Sequence, residues 1–188
     1  MKRLVYIAGA PGSGKTTLAA KLTAPYQRIP VLSEVNHDML RDDETGHVIG
    51  AELGEWRGEF GGTDLLPASV IDAAVPWIGA ITDYDLIIGE GQRLANKRFL
   101  LAARAAGYDV TLVLLDHADA AAWQRKRSRK LGRIQNQSWV QGRLNAARQL
   151  ADFFDGASIT GPGERVKVLR GHPDELLPQL EGVISADG

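Results

Sequence analysis

The 188-residue chain has no cysteine, so it contains neither a disulfide nor a thiolate-held metal. Its four histidines are scattered and form no H-x-x-x-H pair, which argues against a His-rich metal site. Net charge is nearly absent as well: the formal value is −1, too small to hold a polyanion by the field of the whole protein. Long apolar runs are missing, since no stretch approaches the roughly 18–20 apolar residues of a spanning helix. No membrane partner is expected. The opening MKRLVYIAGA has the charges, apolar run and small residues of a secretory signal. That run is too short, however, and feeds directly into a glycine-rich turn. It reads as a first strand, and the expected compartment is the cytoplasm, of a bacterium or of a phage-infected host.

What remains suits one globular domain over 1–188, with 44% apolar and 24% charged residues. The near-zero charge conceals an asymmetry. Nine acids and two bases lie between Glu34 and Asp64, whereas eight bases and no acid lie between Ala120 and Ala151. A basic block unbroken by acids points to an anion.

Apolar runs at Leu4–Ala8, Ile29–Leu32, Leu86–Ile88, in YDVTLVLLD and at Val166–Leu169 read as strands. Helices are expected over Thr16–Leu22, from Pro67 to about Ile81, over Leu94–Ala106 and Ala118–Leu131, from a Ser138 cap to Phe154, and over Pro173–Leu180. Residues 43–66, with six glycines in GHVIGAELGEWRGEFGG, read as a long insert loop. The alternation implies an α/β fold: a parallel sheet of about five strands with helices on both faces.

The segment GAPGSGKT, Gly9–Thr16, fits G-x-x-x-x-G-K-[ST] without a mismatch, between an expected strand and an expected helix. Gly9, Ala10, Pro11, Gly12, Ser13 and Gly14 would wrap phosphates with backbone N–H groups. Lys15 would reach the β- and γ-phosphates, Thr16 would ligate Mg²⁺, and Thr17 continues the helix whose positive end faces the anion. The partner acid for the metal shell is Glu90, after LIIG, or Asp116, which could instead cap the next helix. Neither NKRF nor DETG makes a convincing guanine reader, so ATP is the expected donor.

Asp38 and Arg41, in SEVNHDMLRDD, would share a face if they lay on one helical turn. A carboxylate there could deprotonate an attacking hydroxyl, and an arginine could hold a phosphate. Arg125, Arg129 and Arg133 are spaced to line one stripe of a helix, as a lid over about 120–137 that covers the transferring phosphoryl group. Arg127 and Lys130 would then point toward a DNA backbone. Trp139 is expected to pack under the lid, and Arg143 to clamp phosphates or pair with an acid. Trp56 and Phe60 are candidate base stackers, and Thr63 or Asp64 a helix cap.

Asn36, Asp38 and Arg41, an N-x-D-x-x-R block one strand after the phosphate loop, resemble the phage polynucleotide 5′-hydroxyl kinases. DLIIGEGQRLANKRFL resembles that family's third strand and following helix, with the usual Asp-Thr replaced by Gly89-Glu90. LVLLDHADAAAWQRKRSRKLG resembles its fourth strand and basic lid. NQSWVQGRLNAARQLADFF and EWRGEFGGTDLL are more similar to phage P-loop kinases that phosphorylate 5-hydroxymethyluracil already built into DNA. The resemblance covers about two thirds of the chain. It implies a P-loop kinase fold, ATP and Mg²⁺ as cofactors and DNA as substrate. It further implies Asp38 as general base, Arg41 on the acceptor, and Lys15 and Arg129 on the transferring group, with Arg125 and Arg133 beside the nucleotide. A kinase of a free nucleoside, nucleotide or other metabolite, and a non-catalytic ATP-binding module, remain alternatives.

Overall fold

The structure is a computed structural model that describes residues 1–55, 62–132, 136–156 and 166–185. Its seven-stranded sheet comprises β1 (Arg3–Gly9), β2 (Tyr26–Val31), β3 (His37–Asp42), β4 (Val48–Leu53), β5 (Leu86–Glu90), β6 (Asp109–Leu115) and β7 (Lys167–Gly171). The spatial order is β2-β3-β4-β5-β1-β6-β7. Five neighbours, β4 to β7 in that order, run parallel, whereas β3 is antiparallel to both β2 and β4.

The central strands are buried on both sides, so alternate residues supply two cores. Val5, Ile7, Ile88 and Val113 face α1 (Lys15–Thr23) and α6 (Pro173–Ser185). Leu4, Tyr6, Ile87 and Leu112 face α2 (Val70–Ala80), α3 (Lys97–Ala105) and α5 (Gln137–Gly156). α4 (Ala120–Leu131) follows β6 and crosses the carboxyl end of the sheet against the phosphate loop. Among the described residues, no helix is long and apolar enough to cross a membrane.

Three expectations need correcting. Asp38 and Arg41 lie on a strand, not a helical turn. Their segment alternates with period two: His37 packs against Trp77 and Tyr84 on one face, while Leu40 joins the opposite core. Pairing with strands on both sides overrides the i,i+3 reading. Residues 43–66 are not a loop throughout, because Val48–Leu53 forms β4 inside the sheet and Gly62–Leu65 a 3₁₀ turn. The cap of α5 is Asn136, whose Oδ1 accepts from the amide of Ser138 at 2.8 Å; Ser138 itself is helical.

Candidate functional site

β1 delivers the chain to the carboxyl edge of the sheet, where Gly9–Thr16 turns back into α1. Gly12 has φ +82°, and a Cβ there would lie 2.8 Å from the Gln124 Cα, so only glycine lets α4 approach the loop this closely. Ser13 is fully buried, and its hydroxyl has no hydrogen-bond partner among the described residues, as suits a loop whose partner is a phosphate. Lys15 Nζ donates to the carbonyls of Ala10 (2.9 Å) and Gly9 (3.3 Å). Burial lowers the pKa of this amine; Glu90 and Asp64 oppose that effect and Arg127 adds to it.

Thr16 Oγ1 donates to Glu90 Oε1 at 2.9 Å. Glu90 ends β5 and is 2% exposed. Burial pushes its carboxyl up to about 7 against the pull of Lys15 and Thr16, with Asp64 and Glu52 adding to the rise. The 3₁₀ turn pins this strand end from above. Thr63 Oγ1 donates to the Glu90 carbonyl (2.9 Å) and lies 2.9 Å from the Tyr6 hydroxyl. Asp64 Oδ1 accepts from the Gln92 amide at 2.6 Å. Thr63 and Asp64 therefore fasten the phosphate-loop side of the sheet rather than cap α2.

Asp116, the other acid considered for the metal shell, is engaged elsewhere. Arg148 donates to both its oxygens, at 2.6 and 2.8 Å, and these bonds hold its carboxyl below the usual range. The hydroxyl of Thr16 and the carboxylate of Glu90 are hard oxygen donors side by side, a set that fits Mg²⁺.

Beside the loop lies a cavity of about 410 Å³ lined by Gly14, Thr17, Lys21, Trp123, Arg127 and Pro173. Its volume suits a small-molecule ligand. Neither Arg125 nor Arg129 of the stripe inferred from the sequence lines this cavity. Trp123, Gln124 and Arg127 form the inner face of α4, whereas Arg125 and Arg129 are exposed to solvent. Packing against Gly12 and Gly14 sets the rotation of the helix, and spacing among arginines could not reveal it. Arg133, Trp56 and Phe60 lie outside the described residues. Trp139 is 46% exposed with the Arg143 guanidinium 5.5 Å from its ring centre, so it does not pack under α4.

On the other side of Glu90, the same face of the sheet carries two more acids. Asp38 on β3 pairs across to Glu52 on β4, and Glu52 in turn to Ile88, two residues before Glu90. Asp38 and Glu52 are 6% and 3% exposed. Arg28 on β2 holds both. Its Nε and Nη2 donate to Asp38 Oδ2 (3.0 and 2.8 Å), and its Nη1 to Glu52 Oε2 (2.5 Å) and Thr23 Oγ1 (3.0 Å). The arginine expected beside Asp38 is elsewhere: Arg41 Nε donates to Gln27 Oε1 at 2.9 Å, with Nη2 bonded to the same oxygen. Arg28, Glu52 and Arg127 are the site residues that sequence reasoning missed. Glu52 carried a signal, an acid at the end of the apolar run VIGAEL, just where Glu90 ends LIIGE.

A family model described as P-loop Nucleotide Kinase3 matches residues 1–185. No curated protein matches the chain.

Proposed function

The chain belongs to the P-loop Nucleotide Kinase3 family, and from that premise we propose that it transfers the γ-phosphate of ATP to an alcohol hydroxyl on nucleic acid, foremost that of 5-hydroxymethyluracil in DNA. The observation that carries this reading is the row of carboxylates Glu90, Glu52 and Asp38, which extends from the phosphate loop along one sheet face. A nucleotide-binding switch that uses only water has no need of an acid so far along the sheet.

On the donor side, the backbone N–H groups of Gly12–Thr16 take the phosphates, and Lys15 leaves the Ala10 carbonyl for them. Arg127 reaches the same anion from α4, taking the role first given to Arg129. Trp123 and Pro173 line the cavity, and a base could stack there. Thr16 and Glu90 would hold Mg²⁺, which when bound offsets the charge of the phosphate oxygens. On the acceptor side, Arg28 takes only Oδ2 of Asp38, which leaves Oδ1 to accept the proton of the attacking hydroxyl. The O–H bond breaks toward Asp38 as the hydroxyl oxygen bonds to phosphorus and ADP departs.

A polymer acceptor draws support from the exposed Arg125, Lys126, Arg129 and Lys130 and from exposed Trp139. One observation favours a second reading, a free nucleoside or nucleotide as acceptor: Asp38 and Glu52 are nearly buried, and a small molecule enters such a site more readily than a strand does. Labelled ATP offered with hydroxymethyluracil-containing DNA, 5′-hydroxyl oligonucleotide and free nucleosides and nucleotides separates the two. Transfer only to the free compounds rejects the polymer, and transfer to none rejects the kinase. Asp38→Asn should lose at least about a hundredfold in kcat, as expected for a general base, while ATP still binds. Turnover near wild type would remove Asp38 from the mechanism.

A further inference from the structure

His117, Asp119 and His172 play no part in the phosphoryl chemistry described above. His117 follows β6, Asp119 precedes α4, and His172 links β7 to α6. Each offers a ligand atom within 4.8 Å of the other two, and His172 Nε2 lies 3.7 Å from Asp119 Oδ2. The fold has brought together histidines too far apart in sequence to make a local motif.

His117 is already oriented as metal-holding imidazoles are. Its Nε2 lies 3.0 Å from the Ser13 carbonyl, which can only accept, so the proton is on Nε2 and Nδ1 carries a lone pair. That Nδ1 is buried and has no hydrogen-bond partner among the described residues. An unpaired buried acceptor costs roughly 1–3 kcal/mol, and a cation would relieve that cost. His172 has a suitable backing group too. Its Nδ1 now accepts from the Asp174 amide at 3.2 Å, and the Asp174 carboxylate Oδ2 is 3.7 Å away. With a cation on Nε2 the ring proton moves to Nδ1, so the Asp174 amide gives up this bond and the ring turns toward the Asp174 carboxylate, which receives the proton.

We propose that His117 Nδ1, His172 Nε2 and the Asp119 carboxylate bind one divalent transition cation of borderline softness, of the Zn²⁺, Co²⁺, Ni²⁺ or Cu²⁺ class. Two imidazoles and one carboxylate suit these ions and not Mg²⁺, which demands oxygen. Tetrahedral bonds of about 2.0–2.1 Å place donors roughly 3.3 Å apart, so the 3.7 Å pair is nearly closed. Exposed Asp119 moves to complete the set, and water fills the fourth position. The ion ties the end of β6, the start of α4 and the entry to α6 together, and through Ser13 it reaches the phosphate loop. The site is separate from the pair Thr16 and Glu90.

Trp123 is a built-in reporter, because its ring lies 4.8 Å from that of His117 and 5.2 Å from that of His172. Ni²⁺ or Cu²⁺ added to the metal-stripped full chain should quench its fluorescence at one equivalent. Calorimetry should find one Zn²⁺ site that excess Mg²⁺ does not displace. Asp119→Ala and His172→Gln should each weaken Zn²⁺ binding by at least about tenfold. Asp119 makes no side-chain cap bond to α4, so its variant should fold, and a thermal melt checks this. Trp123→Phe should lose the quench yet keep the Zn²⁺ heat. Absence of binding, displacement by Mg²⁺, or equal affinity in either folded variant overturns the proposal.

Discussion

Replacing Glu90 by Gln tests whether the acid under Thr16 is held against its will. Burial raises its carboxyl from an ordinary 4.5 to about 7. An acid with a raised folded pKa contributes its full stability below the unfolded value and loses it as pH climbs through the folded one. For Glu90 that window runs from about pH 4.5 to about pH 7. Each tenfold change in proton affinity is worth about 1.4 kcal/mol, so the ligand-free fold loses about 3 kcal/mol across the window. Glu90→Gln removes the charge and keeps an oxygen for the Thr16 hydroxyl. The variant should match wild type near pH 4.5 and exceed it by about 3 kcal/mol, or about 6–12 °C in melting temperature, near pH 8. Urea unfolding of both proteins at a series of pH values reads the difference directly. ATP with Mg²⁺ should invert the order, because a cation beside the carboxylate favours the ionised form that Gln cannot take. A difference between the two proteins that stays flat with pH would refute the reasoning.

The arginine that bridges Asp38 and Glu52 should matter for folding before it matters for any chemistry. Arg28→Gln should cost about 3 kcal/mol in chemical denaturation, because two nearly buried acids lose their shared partner. Adding Glu52→Gln should restore part of that loss, and a fully additive pair would show that the acids do not share Arg28. On α4, Arg127→Ala should weaken ATP binding by at least about tenfold, the loss expected for a hydrogen bond to a charged group. Arg129→Ala should change it less than about twofold, as for a solvated charge, and the reverse order in an equilibrium binding assay would return the role to Arg129. Gly62→Ala should cost about 1–3 kcal/mol from backbone strain alone: its φ is +74°, and a Cβ would collide with Glu90 Oε1. A neutral melt would contradict that placement.

The phosphate loop and the parallel strands β1, β5, β6 and β7 were legible because their signals are local. GAPGSGKT needs only its own eight residues, and strands buried on both faces read as unbroken apolar runs. β3 and β4 were not legible, because their identity depends on each other. HDMLRD carries four charged or titratable side chains in six residues and looks like a helix surface. It is a strand because Arg28 neutralises Asp38 while His37 packs against Trp77 and, edge-on, against Tyr84. VIGAEL was hidden in a glycine-rich context that resembles a loop. Arg127 was passed over for Arg129 because spacing gives a stripe on a helix but not the direction that the stripe faces. Gly12 and Gly14, more than a hundred residues earlier, supply that direction by the room they leave for Gln124 and Trp123.

The junction of β4 with β5 is short: only Ala51 with Ile87 and Glu52 with Ile88 are in register, against seven pairs between β1 and β6. The β2-β3-β4 meander closes on near neighbours in sequence, so it can assemble early and as a unit, whereas β5, β1 and β6 must find partners far along the chain. The two-pair seam then divides two cooperative blocks, and Asp38 belongs to one while Lys15 and Thr16 belong to the other. Amides of the meander should exchange with solvent by an opening less costly than global unfolding. Each such opening parts Asp38 from Lys15 and Thr16, so the motion that loosens the meander is also the one that takes the two halves of the proposed site apart.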